Sequence, residues 1–157
     1  MVPYPTNFRL MSTKWTLDIA AMQEEFFSDT ALIGIVSALP AYRFCWMLNQ
    51  KFDMDFVRDP ESDIRLQNTN EEKAHYFSLY KYCAPLNGNK YLIYKLKADK
   101  ESLLPEAKQL DYLWMIQSNS PESDAAQITQ YLRDIPDVQL AQVLVPEKLK
   151  SLGHLVV

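Results

Sequence analysis

Glu106, Asp111 and Tyr112 stand within one short segment of this 157-residue chain, and together they could move a proton. Two carboxylates beside a phenol suit acid–base work, one group donating while the other accepts. Arg43 offers an ion partner from elsewhere in the chain. A structural reading competes with this one. Pro105 and Glu106 can close a turn, while Asp111 and Tyr112 satisfy backbone groups where a strand begins. The residue types favour the structural reading, because neither His75 nor His154 lies near a serine or cysteine in a nucleophile elbow. No residue is assigned a catalytic role, and His154, near the end of the sequence, is expected in a solvated tail.

Other chemistries are bounded by counting. The two histidines and two cysteines cannot build a three-histidine, four-cysteine or three-cysteine-one-histidine metal site. Three glycines, Gly34, Gly88 and Gly153, are too few and too scattered for either glycine-rich phosphate loop. No metal and no cofactor is expected. Cys45 falls on the apolar stripe of a helix and Cys83 in a strand-like segment, so both read as free buried thiols of a reducing cytoplasm. A net charge of −4 argues against a protein built mainly to grip phosphates. The longest apolar run, Ala31 to Leu39, is far short of the roughly 20 residues that span a membrane. The first residues lack the charged lead and apolar run of a secretory signal, so a cytoplasmic location is expected.

Tyrosine and lysine concentrate in one hairpin. Asn87-Gly88 separates two alternating segments, 74–86 and 89–98, and favours a two-residue type I′ turn. That turn would set Cys83 opposite Leu92, Lys81 opposite Tyr94 and Tyr80 opposite Lys95. It would also gather Tyr76, Tyr80, Tyr82, Tyr91, Lys95 and Lys97 on one open face. Six lysines lie between residues 73 and 100, so this patch is basic on an acidic protein. Such a face is a plain exposed sheet surface, a partner interface, or a stacking platform for single-stranded nucleic acid. Tyr42 and Trp46, on the shoulder of the first helix, extend the candidate interaction surface.

These groups are carried by a legible order of elements. Lys14 to Ile19 alternates as a strand, and Leu32 to Val36 is a buried one. Pro40 suits a helix start, and Ala41, Cys45, Leu48 and Phe52 give that helix one apolar stripe. The acidic stretch 53–72 reads as a connector with an edge strand near Ile64-Arg65-Leu66. Leu110 to Gln117 is apolar on both sides and reads as a central strand. Ser120-Pro121-Glu122 opens a second helix, with Ser120 as its cap, and Val138 to Val145 forms a last strand. Residues 1–11 read as a disordered tail, with Met11 as an alternative natural start, and residues 12–157 as one domain. The order predicts an α+β domain: a two-layer sandwich with two main helices on one face of a mainly antiparallel sheet. A ferredoxin-like core with an inserted hairpin is one topology that satisfies it.

Residues 104–112, Leu-Pro-Glu-Ala-Lys-Gln-Leu-Asp-Tyr, resemble the signature of the IPExxxVDY family of small bacterial proteins. Leu104 stands for the family's Ile and Leu110 for its Val, while Pro105, Glu106, Asp111 and Tyr112 match. Leu32-Ile33-Gly34-Ile35 and the block from Tyr42 to Asn49 are similar to an earlier block of that family. The resemblance covers residues 12–157 and implies no activity, cofactor or partner. The sequence therefore predicts a non-enzymatic module that binds another protein or forms a homodimer. One alternative is a single-stranded nucleic-acid binder using the Tyr/Lys face, and another is an enzyme using Glu106 and Asp111.

Overall fold

The computed structural model describes residues 27–67, 70 and 72–157. The expected tail, the alternative start at Met11 and the strand at Lys14–Ile19 lie outside the described residues. Strand β1 (Thr30–Val36) carries the apolar run and leads through a short turn into helix α1 (Ala41–Phe52). Pro40 sits at the cap rather than inside the helix, with extended backbone, and its carbonyl accepts from Phe44 N–H at 2.9 Å. Asp53, in the left-handed conformation, ends α1.

The connector that follows is more ordered than its composition predicts. It holds strands β2 (Val57–Arg58) and β3 (Ile64–Leu66), the latter pairing with β4 (His75–Phe77). Asp63 explains the order: its carboxylate takes the Arg58 guanidinium and, at 3.1 Å, the Leu79 N–H. Strands β5 (Leu79–Cys83) and β6 (Lys90–Lys95) form the hairpin. A small ribbon follows, β7 (Lys97–Ala98) with β8 (Glu101–Ser102). Then come β9 (Tyr112–Gln117), α2 (Pro121–Arg133) and β10 (Leu140–Leu144). Ser120 makes no side-chain cap bond; instead Ser118 Oγ donates to Asp124 at 2.7 Å in the first turn.

Six strands form one sheet in the order β10-β1-β9-β6-β5-β2, every neighbouring pair antiparallel. Within it β1, α1, β6, β9, α2 and β10 make a split βαβ arrangement, each helical crossover straddling one intervening strand. This is the ferredoxin-like core; β5 and β2 are added beyond β6 by the insertion. Both helices pack on one face, over Ile33, Ile35, Ile93 and Trp114. The opposite face is also covered. Ile64, Phe77, Leu96, Leu103, Leu104 and Leu155, from the ribbons and the last turns, bury Leu32, Leu92 and Leu113. A sheet covered on both faces needs strands apolar on both sides, which is why β1 and β9 read as continuous apolar runs.

Gly34 shows how tight this second face is. A Cβ built there would lie 2.7 Å from Leu110 Cδ1 and 3.2 Å from Leu144. Leu110 is fully buried and has no open space to retreat into. Gly34→Ala should therefore destabilise the fold by about 1–3 kcal/mol, the usual cost of overpacking. Urea unfolding of the variant would show it as a lowered midpoint; an unchanged midpoint would refute the packing account.

Candidate functional site

The segment with proton-moving groups, Glu106 to Tyr112, is built as a set of tethers. Leu103 and Leu104 anchor its start in the core, and a single 3₁₀ turn, Pro105–Ala107, follows. Glu106 turns towards the end of the chain: Oε1 accepts from Ser151 N–H at 2.8 Å and Oε2 from Ser151 Oγ at 3.0 Å. Asp111 turns towards the β1–α1 turn. Its Oδ2 accepts from Ser37 N–H at 3.0 Å, and its Oδ1 lies 2.9 Å from Lys97 Nζ. The Tyr112 hydroxyl donates to the Leu39 carbonyl in the same turn, and the ring stacks on Phe44 at 4.1 Å. Partners 74, 73 and 45 residues away are thus held by three side chains of one short segment.

The two carboxylates share no partner. The cavity that Asp111 borders does not include Glu106. Arg43, the expected ion partner, is exposed, and the cation at Asp111 is Lys97. Burial pushes the Tyr112 hydroxyl up, helped by nearby Cys45 and Asp111, so it remains a protonated donor. Burial alone would raise the Glu106 carboxyl as well. The Ser151 bonds outweigh it and hold that group below the usual carboxylate range. These contacts are those of the structural reading of the segment.

The Tyr/Lys face is corrected in two respects. The connection is not a two-residue turn, because Ala84 and Asn89 also pair, with Ala84 N–H donating to the Asn89 carbonyl at 2.8 Å. Pro85 to Gly88 then form a four-residue loop in which only Gly88 has positive φ. The register becomes Cys83 opposite Lys90, Tyr82 opposite Tyr91, and Tyr80 opposite Ile93. A shift of two residues keeps the side chains of β5 and β6 on their predicted faces. What changes is what covers that face. It lies under α1 and the connector, so Tyr91 is 8% exposed and Ile93 fully buried, while Tyr80 and Tyr82 are half-buried against the same cluster. Tyr82 stacks on Tyr91, and Phe52, Phe56 and Tyr91 present edges to Trp114. The tyrosines are core aromatics and not an open platform. Tyr76 is exposed but belongs to the separate β3–β4 pair, opposite Arg65.

Two other sequence assignments move. His154, expected in a solvated tail, places Nδ1 3.0 Å from the Leu103 carbonyl. Cys83 is exposed, whereas Cys45 is buried and its thiol is pushed up to about 12 by burial. Trp46 is 65% exposed and Tyr42 68%, one turn apart on α1, so the connector does not cover them. Further along the same helix, Asn49 accepts from Phe56 N–H at 2.7 Å and donates to its carbonyl at 3.2 Å.

Lys95 and Lys97 meet Asp111 and Tyr112 at one end of the sheet. With the Ser37–Pro40 turn and Gln139 they border a cavity of about 380 Å³. Sequence reasoning singled out both lysines and both motif residues, but as parts of different features. Ser37, Leu39 and Ser151 it missed: Ser37 and Leu39 meet the segment through backbone groups that leave no signal in residue type, and Ser151, which also uses its hydroxyl, lies 45 residues from Glu106. Among the described residues no cluster of three or more His, Cys, Asp or Glu side chains could hold a metal ion, and no helix is long and apolar enough to cross a membrane. No protein-family model, curated protein or solved structure matches the chain.

Two measurements check this site. Glu106 is depressed in the folded state, so its contribution is present above the unfolded value and is lost as pH falls through the folded one. Wild type should therefore exceed Glu106→Gln in urea midpoint at pH 7, and the gap should close below about pH 4. A gap independent of pH would contradict the Ser151 tether. For the thiols, a disulfide reagent should modify one cysteine rapidly in the folded protein and the second only on unfolding. Rapid modification of both in the native state would contradict the burial of Cys45.

Proposed function

We propose that this protein is a cytoplasmic, non-enzymatic module that binds another polypeptide through the outer face of α1. One observation carries the reading: Tyr42 and Trp46 are 68% and 65% exposed on adjacent turns of one helix. Phe44, Phe56, Tyr91, Tyr112 and Trp114, the rings of the helix-covered core, are by contrast all buried. Two large aromatics left in water side by side cost hydrophobic free energy that a partner would recover, and both types are enriched among binding hot spots. Charge supports a polypeptide with acidic character on its rim. Among its charged residues α1 carries only the cations Arg43 and Lys51, on a chain of net charge −4. A nucleic-acid partner finds less support, since Tyr80, Tyr82 and Tyr91 are turned into the core. The resemblance of residues 104–112 to the IPExxxVDY signature adds no activity to this reading.

Native mass spectrometry of the protein enriched gently from its own cells tests it. A complex of defined stoichiometry is expected, and the double variant Tyr42→Ser/Trp46→Ser should lose it while melting within a few degrees of wild type. A wild type that is monomeric throughout, or a double variant that keeps its complex, would overturn the proposal.

A further inference from the structure

The cavity at the β1–α1 turn, rather than the aromatic patch, carries an inference about a small ligand. It is bordered by the Ser37–Pro40 turn, Lys95, Lys97, Asp111, Tyr112 and Gln139, with a volume of about 380 Å³. That volume lies at the small end of ligand pockets. The carboxylate and the Leu39 carbonyl that border it are already engaged. Asp111 takes Ser37 N–H and the Lys97 ammonium, the Leu39 carbonyl takes the Tyr112 hydroxyl, and the Asp137 carbonyl just behind takes Ser37 Oγ. Its donors are not. Lys95 makes no ion pair or side-chain hydrogen bond with the described residues, and one contact to Asp111 uses one of the three N–H groups of Lys97. Register places the Lys95 side chain beside Tyr112, its partner across β6 and β9, on the face that α1 covers. Lys95 is half-buried as a residue, and its ammonium has no counter-ion among the described residues. Two lysines and one carboxylate border this cavity on an acidic protein, and Lys95 also borders the neighbouring cavity that holds Glu72 and Asp99. The adjoining first turn of α1 has no acidic residue and no side-chain cap to offset its own positive end.

We infer that this cavity binds a small oxyanion, the carboxylate or phosphate head of a compact ligand, between Lys95 and Lys97. Lys95 supplies the free charge. Lys97, oriented by Asp111, supplies a second donor, and the same Asp111 ties the pocket wall to the start of β9.

Amide chemical-shift titration with inorganic phosphate and with acetate, at constant ionic strength, tests the assignment. Saturable shifts are expected at the amides of Ser37, Ala38, Leu39 and Ala41. Lys95→Gln should weaken that binding by roughly tenfold or more, the value of one charge-assisted hydrogen bond. Lys95→Arg should retain it, and so should Lys90→Gln, at the far end of the same strand. Preference for phosphate would assign a phosphoryl head, and comparable binding of both anions a carboxylate one; either supports the site. Absence of saturable shifts with both anions would overturn it. So would a Lys95→Gln variant, folded by near-UV circular dichroism, that binds as wild type does.

Discussion

The start of β9 is where this fold is held together. Asp111 and Tyr112 reach out from adjacent positions to Ser37 and Leu39, and so fix the turn through which β1 becomes α1. A hydrogen bond to a charged carboxylate contributes about 1.5–3 kcal/mol, and more is lost if the buried partner is left unmade. Position matters beyond that energy. Strand β9 lies between β1 and β6, and Leu113, Trp114, Met115 and Ile116 are all fully buried. Odd and even residues of one strand therefore feed two different cores, and its register sets both.

The two cores differ in what builds them. Over the helix-covered face the chain places aromatic rings: Phe44 on Tyr112, and Phe52, Phe56 and Tyr91 around Trp114. Edge-to-face contacts of this kind add to area burial and favour one arrangement of rings over others. The second face is mainly aliphatic, closed by short ribbons and single turns. Such pieces cannot hold themselves, so they are tied by polar contacts as well as by packing. Tyr94 donates to the Leu155 carbonyl at 2.6 Å, and Glu106 holds Ser151. The last turns of the chain are thereby integral to the core.

This division bears on function. A face lined by tyrosines is an interaction surface only when nothing covers it, and here α1 and the connector cover it. Tyr42 and Trp46, on the outside of the covering helix, remain in water, as does Tyr131 on α2. Lys95 and Lys97 lie instead at the end of the sheet, where the chain breaks from β6 into β7. There they meet the residues that hold the β1–α1 turn, and a cavity forms where a tether, a helix start and two cations coincide.

Local rules make much of this legible in the residues alone. Hydrophobic period identifies β1, α1, β9 and α2, because each buries a face whose spacing is written in adjacent residues. The alternation of 74–86 and 89–98 assigns the paired hairpin side chains to their correct faces, even though the loop is four residues long. The tethering role of Asp111 and Tyr112 is also readable, since polar side chains at a strand entrance commonly bind backbone. Coverage is not. Whether a tyrosine face meets water or a helix depends on which element crosses it, and that is decided by connections dozens of residues long. Backbone acceptors such as the Leu39 carbonyl look the same for every residue type, so a sequence cannot name them. The joining of Lys95 and Lys97 with the β1–α1 turn likewise follows from the strand order β1-β9-β6, an arrangement that only the closed sheet determines.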